Sequence, residues 1–150
     1  MNPELRDLYQ QVIVDHGKRP RNFHKLDSAT HHAEGFNPLC GDRVDIHVEI
    51  EDGTIRKLTF EGVGCAISTA STSMMTGMLK GRSVEDARRL FRCFHCMVTN
   101  NPGDMDDVGL GKLTVFAGVR EYPARVKCAT LGWHTLVAAL ENKQQPVSTE

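Results

Sequence analysis

Three of the five cysteines lie where one predicted secondary-structure element meets the next. Cys40 lies in a turn before a strand, Cys65 in a glycine-rich segment that opens a helix, and Cys128 at the start of the last helix. Asp42 follows Cys40 by two residues, so in an extended turn both side chains point to the same side. Three thiolates and one carboxylate complete a tetrahedral set of donors, which suits Zn²⁺ or an iron–sulfur cluster rather than Mg²⁺ or Ca²⁺. Spacing alone leaves open that the three cysteines are buried small hydrophobic residues, because none of them belongs to a Cys-x-x-Cys pair.

Cys93 and Cys96 do form a Cys-x-x-Cys pair, but the helix predicted around them argues against a metal site. Three helical steps place two side chains about 60° apart, while His95 points to the other side of the helix. Two ligands on one helix do not complete a zinc site. The pair also lies away from the predicted apolar face of this helix, so we expect both cysteines at the surface or on its flank.

The histidines have no partner at ligand spacing. His134 follows Cys128 by six residues and therefore lies about 120° from it around a helix. Solvated or hydrogen-bonded core positions are the default expectation for the others, which include His16, His24, His31, His32 and His47. The glycine-rich segment 61–65 lacks the Gly-Lys-Ser/Thr ending of a phosphate-binding loop, so no nucleotide is implied.

Composition and charge restrict the class of protein. The 150 residues are 40% hydrophobic and 25% charged, which is typical of globular domains. Lys and Arg number 18 against 19 Asp and Glu, and the net charge of −1 disfavours nucleic acid or an anionic membrane as a partner. No apolar run is long enough to span a membrane, and the first residues carry acids where a signal peptide has basic residues. We therefore expect a cytoplasmic protein, whose reducing surroundings keep its cysteines as thiols.

Hydrophobic periodicity predicts most of the secondary structure. Asn2 and Pro3 begin a first helix, which Gly17 and Pro20 end. Strict alternation over residues 44–50 predicts a half-buried strand, and a tight turn joins it to a second strand over residues 55–60. Further helices are expected over about residues 66–79, over residues 83–98 behind a capping box at Ser83, and from Cys128 or Ala129 to Glu141.

The remaining segments show no clear period. Residues 21–38 are expected to form an extended connection, residues 100–111 a loop, and residues 113–119 a short apolar run that Pro123 ends. The tail over about residues 144–150 is polar and is expected to be frayed. Because no internal repeat or linker divides the chain, the sequence predicts one domain over residues 1–150. Its class is α+β, with a small antiparallel sheet and helices packed on it.

Three segments together resemble a known family. They are residues 37–42 (NPLCGD), residues 60–68 (FEGVGCAIS) and residues 122–129 (YPARVKCA). In combination they look like the U-type iron–sulfur assembly family, and the resemblance runs from the first predicted helix to the last. It implies the fold shared by the IscU and SufU branches of that family.

The two branches differ in the residue immediately before the third cysteine. The IscU branch builds clusters and has a histidine immediately before the third cysteine, where this chain has Lys127. The longer segment between Cys65 and Cys128 also resembles the SufU branch, which binds zinc and accepts sulfur from a SufS-type cysteine desulfurase. The resemblance therefore implies a zinc-dependent sulfurtransferase that hands sulfur to downstream Suf assembly proteins.

The resemblance also implies roles for individual residues. Cys40, Asp42, Cys65 and Cys128 correspond to the zinc ligands, and Cys40 to the sulfur acceptor. Cys40 suits that role because its turn can move without disturbing a helix or a strand.

Three thiolates, one carboxylate and Zn²⁺ carry a net charge of about −2, which nearby positive charge stabilises. Arg125 and Lys127 beside the third cysteine would supply that charge, although both are equally compatible with plain solvated positions. Two alternatives to the sulfurtransferase stay open: a cluster scaffold of the IscU type, and a zinc-stabilised adaptor without catalytic activity.

Overall fold

A computed structural model of the chain describes residues 3–38, 41–99, 110–142 and 147–148. Their secondary structure runs α1 (Pro3–Lys18), β1 (His31–Asn37), β2 (Asp42–Glu51), β3 (Thr54–Val63), α2 (Ala66–Leu79), α3 (Val84–Thr99), a 3₁₀ helix (Gly111–Glu121), α4 (Pro123–Leu140) and β4 (Val147–Ser148). The α+β class is confirmed, with a three-stranded antiparallel sheet and helices packed on one face of it.

The sheet has the strand order β3-β2-β1-β4. Strands β1, β2 and β3 pair antiparallel, and the two residues of β4 extend the sheet by pairing parallel with β1. Side chains alternate along β2, so Val44, Ile46 and Val48 point toward the helices and belong to the hydrophobic core. Asp45 and His47 lie on the opposite face of the sheet. Strand β2 is therefore central, and its first residue lies at the end of the sheet where β1 ends and β3 exits.

Helices α2 and α4 pack closely against each other. A side chain at Gly132 of α4 would overlap Thr72 of α2, so only glycine permits this approach. The Ser71 hydroxyl donates to the Ala129 carbonyl at 2.6 Å, and Trp133 Nε1 donates to Ser71 Oγ at 3.2 Å. These buried hydrogen bonds satisfy the Ser71 hydroxyl and the Trp133 N–H, and they link α2 to α4.

Several predictions agree with the structure. The predicted helix over residues 66–79 is α2, and the hairpin of β2 and β3 turns at residues 52 and 53. Ser83 caps α3 as expected, because its hydroxyl accepts a hydrogen bond from the Asp86 N–H at 3.1 Å.

Other segments differ from the prediction or had no predicted conformation. The expected extended connection over residues 21–38 contains β1, and the apolar run at 113–119 is part of the 3₁₀ helix. Pro123 follows the 3₁₀ helix and is the first residue of α4. This helix therefore begins five residues before Cys128, where it was predicted to begin. Proline suits this place because its missing N–H has no intrahelical partner there. Within the tail predicted to be frayed, residues 147 and 148 pair with β1. Most of the predicted loop at 100–111 lies outside the described residues.

Among the helices of the described residues, none is both long and apolar enough to cross a membrane.

Candidate metal centre

Three elements bring Asp42, Cys65 and Cys128 together. Asp42 is the first residue of β2, Cys65 lies between β3 and α2, and Cys128 lies in the second turn of α4. One carboxylate oxygen and the two sulfurs all lie within 4.8 Å of one another. Asp42 and Cys128 are buried and Cys65 is half-buried, so the group reaches solvent on the Cys65 side.

Asp42 and Cys65 hold each other in place. The Cys65 backbone N–H donates to Asp42 Oδ1 at 2.9 Å, and the Cys65 thiol points at Asp42 Oδ2 at 3.7 Å. Gly64 leaves room for this contact, because a Cβ there would lie 3.2 Å from Asp42 Oδ1. Cys65 is also the N-cap of α2, and its sulfur accepts a hydrogen bond from the Ser68 N–H at 3.4 Å.

The third donor, Cys128, has polar neighbours that the sequence interpretation missed. Asn37, a buried residue at the end of β1, directs its Nδ2 at Cys128 Sγ at 3.9 Å. The thiol itself points at the Ala124 carbonyl one turn earlier, at 3.6 Å. An amide N–H at a sulfur stabilises the thiolate form, which is the form that binds metals. Asn37 could be found from sequence only once β1 was known, because it is the register of β1 that directs its side chain inward.

The donor set fits a zinc ion. With Zn–S bonds of about 2.3 Å and Zn–O bonds of about 2.0 Å, a tetrahedral ion separates two sulfurs by about 3.8 Å and a sulfur from an oxygen by about 3.5 Å. The 3.7 Å between Cys65 Sγ and Asp42 Oδ2 matches the second value. Asp42 is a buried carboxylate that forms no ion pair with the described basic residues. A cation at this point would compensate its charge.

Cys40 lies outside the described residues, so its predicted place as fourth ligand and sulfur acceptor stays a prediction. Gly41, which follows it, and Asn37, three residues before it, are described. The Gly41 N–H donates to the Asn37 carbonyl at 2.9 Å, and Gly41 has a φ of +73°, a conformation that glycine adopts without strain. This hydrogen bond joins Gly41, the residue before Asp42, to the end of β1.

The two predicted supporting residues lie in the first turns of α4. Arg125 is exposed and lines a cavity of about 700 Å³, together with Cys65 and Tyr122. Lys127 is half-buried next to Cys128 in the chain. The cavity gives a path from solvent to the half-buried sulfur of Cys65, with a guanidinium on its wall.

The expectation for Cys93 and Cys96 was wrong, since both are buried in α3. Helix α3 is covered by α4 on one side and by the 3₁₀ helix on another, so its buried surface is wider than one helical stripe. The pair lies outside the group of donors formed by Asp42, Cys65 and Cys128. His134, as expected, also lies outside that group. Its ring contacts those of Phe91 and His95, at centroid distances of 5.0 and 5.7 Å.

Comparison with known proteins gives the family. The model of the NifU-like N-terminal domain matches residues 8–142. The chain belongs to this family. Among NifU-like relatives, the zinc-dependent sulfurtransferase SufU of Bacillus subtilis is 41% identical over 135 residues, or 90% of each chain. The iron–sulfur cluster assembly scaffold protein IscU of Streptococcus pyogenes is 39% identical over 140 residues, which are 92% of this chain and 86% of the relative.

Solved structures agree with this assignment. A crystal structure of a candidate iron–sulfur cluster assembly scaffold protein for the SUF system, from Fervidobacterium islandicum, superposes with a TM-score of 0.83 at 33% identity. It covers 93% of this chain and 99% of its own. The N-terminal part of a NifU-like protein from Brucella abortus has the same fold, with a TM-score of 0.80 at 21% identity. This NifU-like chain is thus an iron–sulfur cluster assembly protein of the SufU and IscU type.

Proposed function

We propose that this protein is a zinc-dependent sulfurtransferase of iron–sulfur cluster assembly. In this proposal Cys40 accepts sulfur from the persulfide of a SufS-type, pyridoxal-phosphate-dependent cysteine desulfurase and passes it to downstream Suf proteins. The single domain over residues 1–150 performs this transfer in the cytoplasm. Zn²⁺ is held by Cys40, Asp42, Cys65 and Cys128.

The observation that carries the proposal is the convergence of three metal-binding side chains at one end of the sheet. Asp42, Cys65 and Cys128 come from three different elements and offer donor atoms within 4.8 Å of one another. Chain geometry keeps the Cα atom of residue 40 within about 7 Å of that of residue 42, so the fourth predicted donor is tethered beside the other three. A relative that is 41% identical is named a zinc-dependent sulfurtransferase, which supports the same assignment.

The transfer itself is a thiol–disulfide exchange. The Cys40 thiolate attacks the terminal sulfur of the donor's persulfide, a new S–S bond forms on Cys40, and the S–S bond to the donor cysteine breaks. The donor cysteine leaves as a thiolate, so no external oxidant or reductant is consumed. The acceptor must therefore be a thiolate, because the protonated thiol is a poor nucleophile.

The residues around the centre favour thiolates. Zinc, when bound, keeps its cysteine ligands deprotonated and has no redox chemistry of its own. The Asn37 amide at Cys128 and the Ser68 N–H at Cys65 supply hydrogen bonds to two of the sulfurs. Arg125 on the wall of the adjoining cavity adds positive charge near a group whose net charge is about −2 with zinc bound.

The cavity beside Cys65 supports the partner in the proposal. Its volume of about 700 Å³ lies between α1, the start of α2, the 3₁₀ helix and the start of α4. Tyr122 on its rim is 62% exposed, and exposed tyrosine and arginine side chains are enriched where proteins bind one another. A segment of the desulfurase that carries its persulfide would approach the centre through this opening.

A cluster scaffold is the second candidate, because the relative from Streptococcus pyogenes at 39% identity is named an IscU scaffold. Lys127 argues against it, since the scaffold branch resembles this chain except for a histidine at that position. Elemental analysis of anaerobically purified protein separates the two functions. We expect about one zinc per chain. Stoichiometric iron with sulfide would favour the scaffold instead.

The sulfurtransferase is tested by the rate at which a SufS-type desulfurase turns over L-cysteine. We expect the zinc-loaded protein to raise this rate in a saturable way, and Cys40→Ala to abolish the increase. Cys93→Ala is the matched control, because it also removes one thiol but leaves the proposed centre intact. Equal stimulation by Cys40→Ala and wild type would overturn the proposal. Loss of stimulation in both variants would also contradict it, and no stimulation by wild type would favour the adaptor.

A further inference from the structure

A second group of metal-binding side chains lies on the sheet face that points away from the helices. His32 and Glu34 are alternate residues of β1, and Asp45 lies on β2 directly opposite Glu34 in the strand register. One donor atom from each of the three side chains lies within 4.8 Å of the others. The group joins two neighbouring strands, so the backbone hydrogen bonds of the sheet fix its geometry.

One oxygen of this group has no partner in the described part of the chain. Asp45 Oδ1 is buried from solvent, and no described donor forms a hydrogen bond with it. A carboxylate oxygen deprived of both water and a hydrogen-bond donor is costly, and native structures avoid such groups unless another ligand satisfies them. The nearby side chains do not solve the problem, since Glu34 and Glu61, opposite Asp45 on either side, are themselves acidic.

The neighbouring residues orient the histidine. The His32 ring stacks on the His47 ring at a centroid distance of 4.9 Å and an interplanar angle of 25°. His47 is buried, and its Nε2 lies 3.2 Å from Glu61 Oε1. A histidine–carboxylate pair of this kind holds the His47 ring in a fixed orientation, and the His32 ring stacks on that ring. Arg43 forms an ion pair with Glu34 at 3.5 Å, but both side chains are exposed and such pairs are weak.

We propose that His32, Glu34 and Asp45 bind a divalent first-row transition metal ion. One imidazole and two carboxylates are borderline to hard donors, which suit Fe²⁺, Co²⁺ or Zn²⁺ and leave positions open for water. Around one ion with bonds of about 2.1 Å, two donors are at most about 4.2 Å apart. Donors within 4.8 Å need only small rotations to reach this, and the exposed His32 side chain permits them.

The site is separate from the thiolate centre. Asp42 and Asp45 are three residues apart on β2, so their side chains point to opposite faces of the sheet and their Cα atoms are about 10 Å apart. The two sites also differ in donor chemistry. The first offers sulfur, and the second offers only nitrogen and oxygen, so their metal complexes have different spectra.

Metal binding by the folded, zinc-loaded protein tests the proposal. After equilibrium dialysis against Zn²⁺ or Co²⁺, the wild type should hold one metal ion per chain more than His32→Ala or Asp45→Asn. In these variants the apparent affinity for the additional ion should fall at least about tenfold. With Co²⁺, the additional ion should add weak visible absorption without the sulfur-to-cobalt bands that a thiolate site produces.

His24→Ala is the matched control, because His24 is an exposed histidine outside the group. It should bind as many ions as the wild type. The proposal is overturned if the wild type binds no additional ion, if both site variants retain it, or if His24→Ala loses it equally. Because the readout is a difference between wild type and variants, it does not depend on whether the thiolate centre binds zinc. His32 is exposed, so His32→Ala keeps the test valid even where Asp45→Asn disturbs the sheet.

Discussion

Cys65 is a proposed metal ligand and an observed helix cap, and a pair of substitutions separates these two roles. Its sulfur is one of the three converging metal donors, and the same sulfur caps α2 by accepting the Ser68 N–H at 3.4 Å. The backbone at Cys65, with φ of −69° and ψ of 169°, is the extended conformation of an N-cap residue. Serine removes the sulfur but supplies a hydroxyl oxygen that accepts the same capping hydrogen bond, whereas alanine offers no acceptor at all.

The two variants should therefore lose zinc equally but differ in stability. A neutral hydroxyl does not replace a thiolate as a zinc ligand, so both Cys65→Ser and Cys65→Ala should lose the metal. An N-cap side chain contributes about 1 kcal/mol. Without zinc, Cys65→Ser should thus be about 1 kcal/mol more stable than Cys65→Ala, which corresponds to about 2–4 °C in Tm for a chain of this size.

Zinc content by elemental analysis and urea unfolding of the zinc-free variants measure both effects. Cys128 is the control, because it lies inside α4 and caps no helix. Replacing it with Ser instead of Ala should give no comparable gain. Wild-type zinc content in Cys65→Ser would refute the ligand role. Equal stability of the two Cys65 variants would refute the capping role.

Three other predictions concern residues that are not among the proposed ligands. Cys93→Ala with Cys96→Ala should keep zinc but lose about 1 kcal/mol for each buried sulfur; a loss of zinc would contradict the account. Burial lowers the pKa of His134 below its ordinary value of 6.5, so the free energy of unfolding should fall as pH drops through that value. His134→Gln should weaken this dependence in thermal melts, and an unchanged pH profile would disprove the cause. Gly62→Ala should destabilise the fold by about 1–3 kcal/mol, because Gly62 has a φ of +154° and a Cβ would overlap a carbonyl of β2. Gly77→Ala, in open space on α2, should be neutral or stabilising in the same denaturation assay.

Local signals predicted most of the elements. Strand β2 was found because Val44, Ile46 and Val48 alternate with polar residues, and this pattern needs no knowledge of the rest of the fold. Helix α3 was found because Ser83 caps it and an apolar face follows. Both signals lie within a few residues of the element that they predict, so the sequence alone carries them.

Strand β1 was missed because its buried positions hold no large hydrophobic residue. Its inward side chains are those of Ala33 and Asn37, with Gly35 between them. Glycine is required there, since a Cβ at residue 35 would overlap Thr135 of α4. The closeness of α4 thus removes the alternation that would reveal the strand, and only the tertiary structure explains the sequence of β1.

The missing strand also concealed two side-chain arrangements. Asn37 reaches Cys128 from the end of β1, and the pairing of β1 with β2 brings His32 and Glu34 close to Asp45. Their positions at the boundaries of predicted elements indicated Cys65 and Cys128, which the structure brings together with Asp42. The helical wheel placed Cys93 and Cys96 at the surface or on the flank of α3, and it was wrong because it cannot anticipate that α3 is covered from more than one side.

The claim that Cys40 accepts sulfur is tested most directly by mass spectrometry of the zinc-loaded wild-type protein. The protein is incubated with a SufS-type desulfurase and L-cysteine, thiols are then blocked, and each cysteine-containing peptide is searched for an added mass of about 32 Da, one sulfur atom. We expect the added sulfur on Cys40, and no added sulfur on any cysteine when the desulfurase is omitted. Added sulfur on Cys65 or Cys128 with Cys40 unmodified would contradict the account.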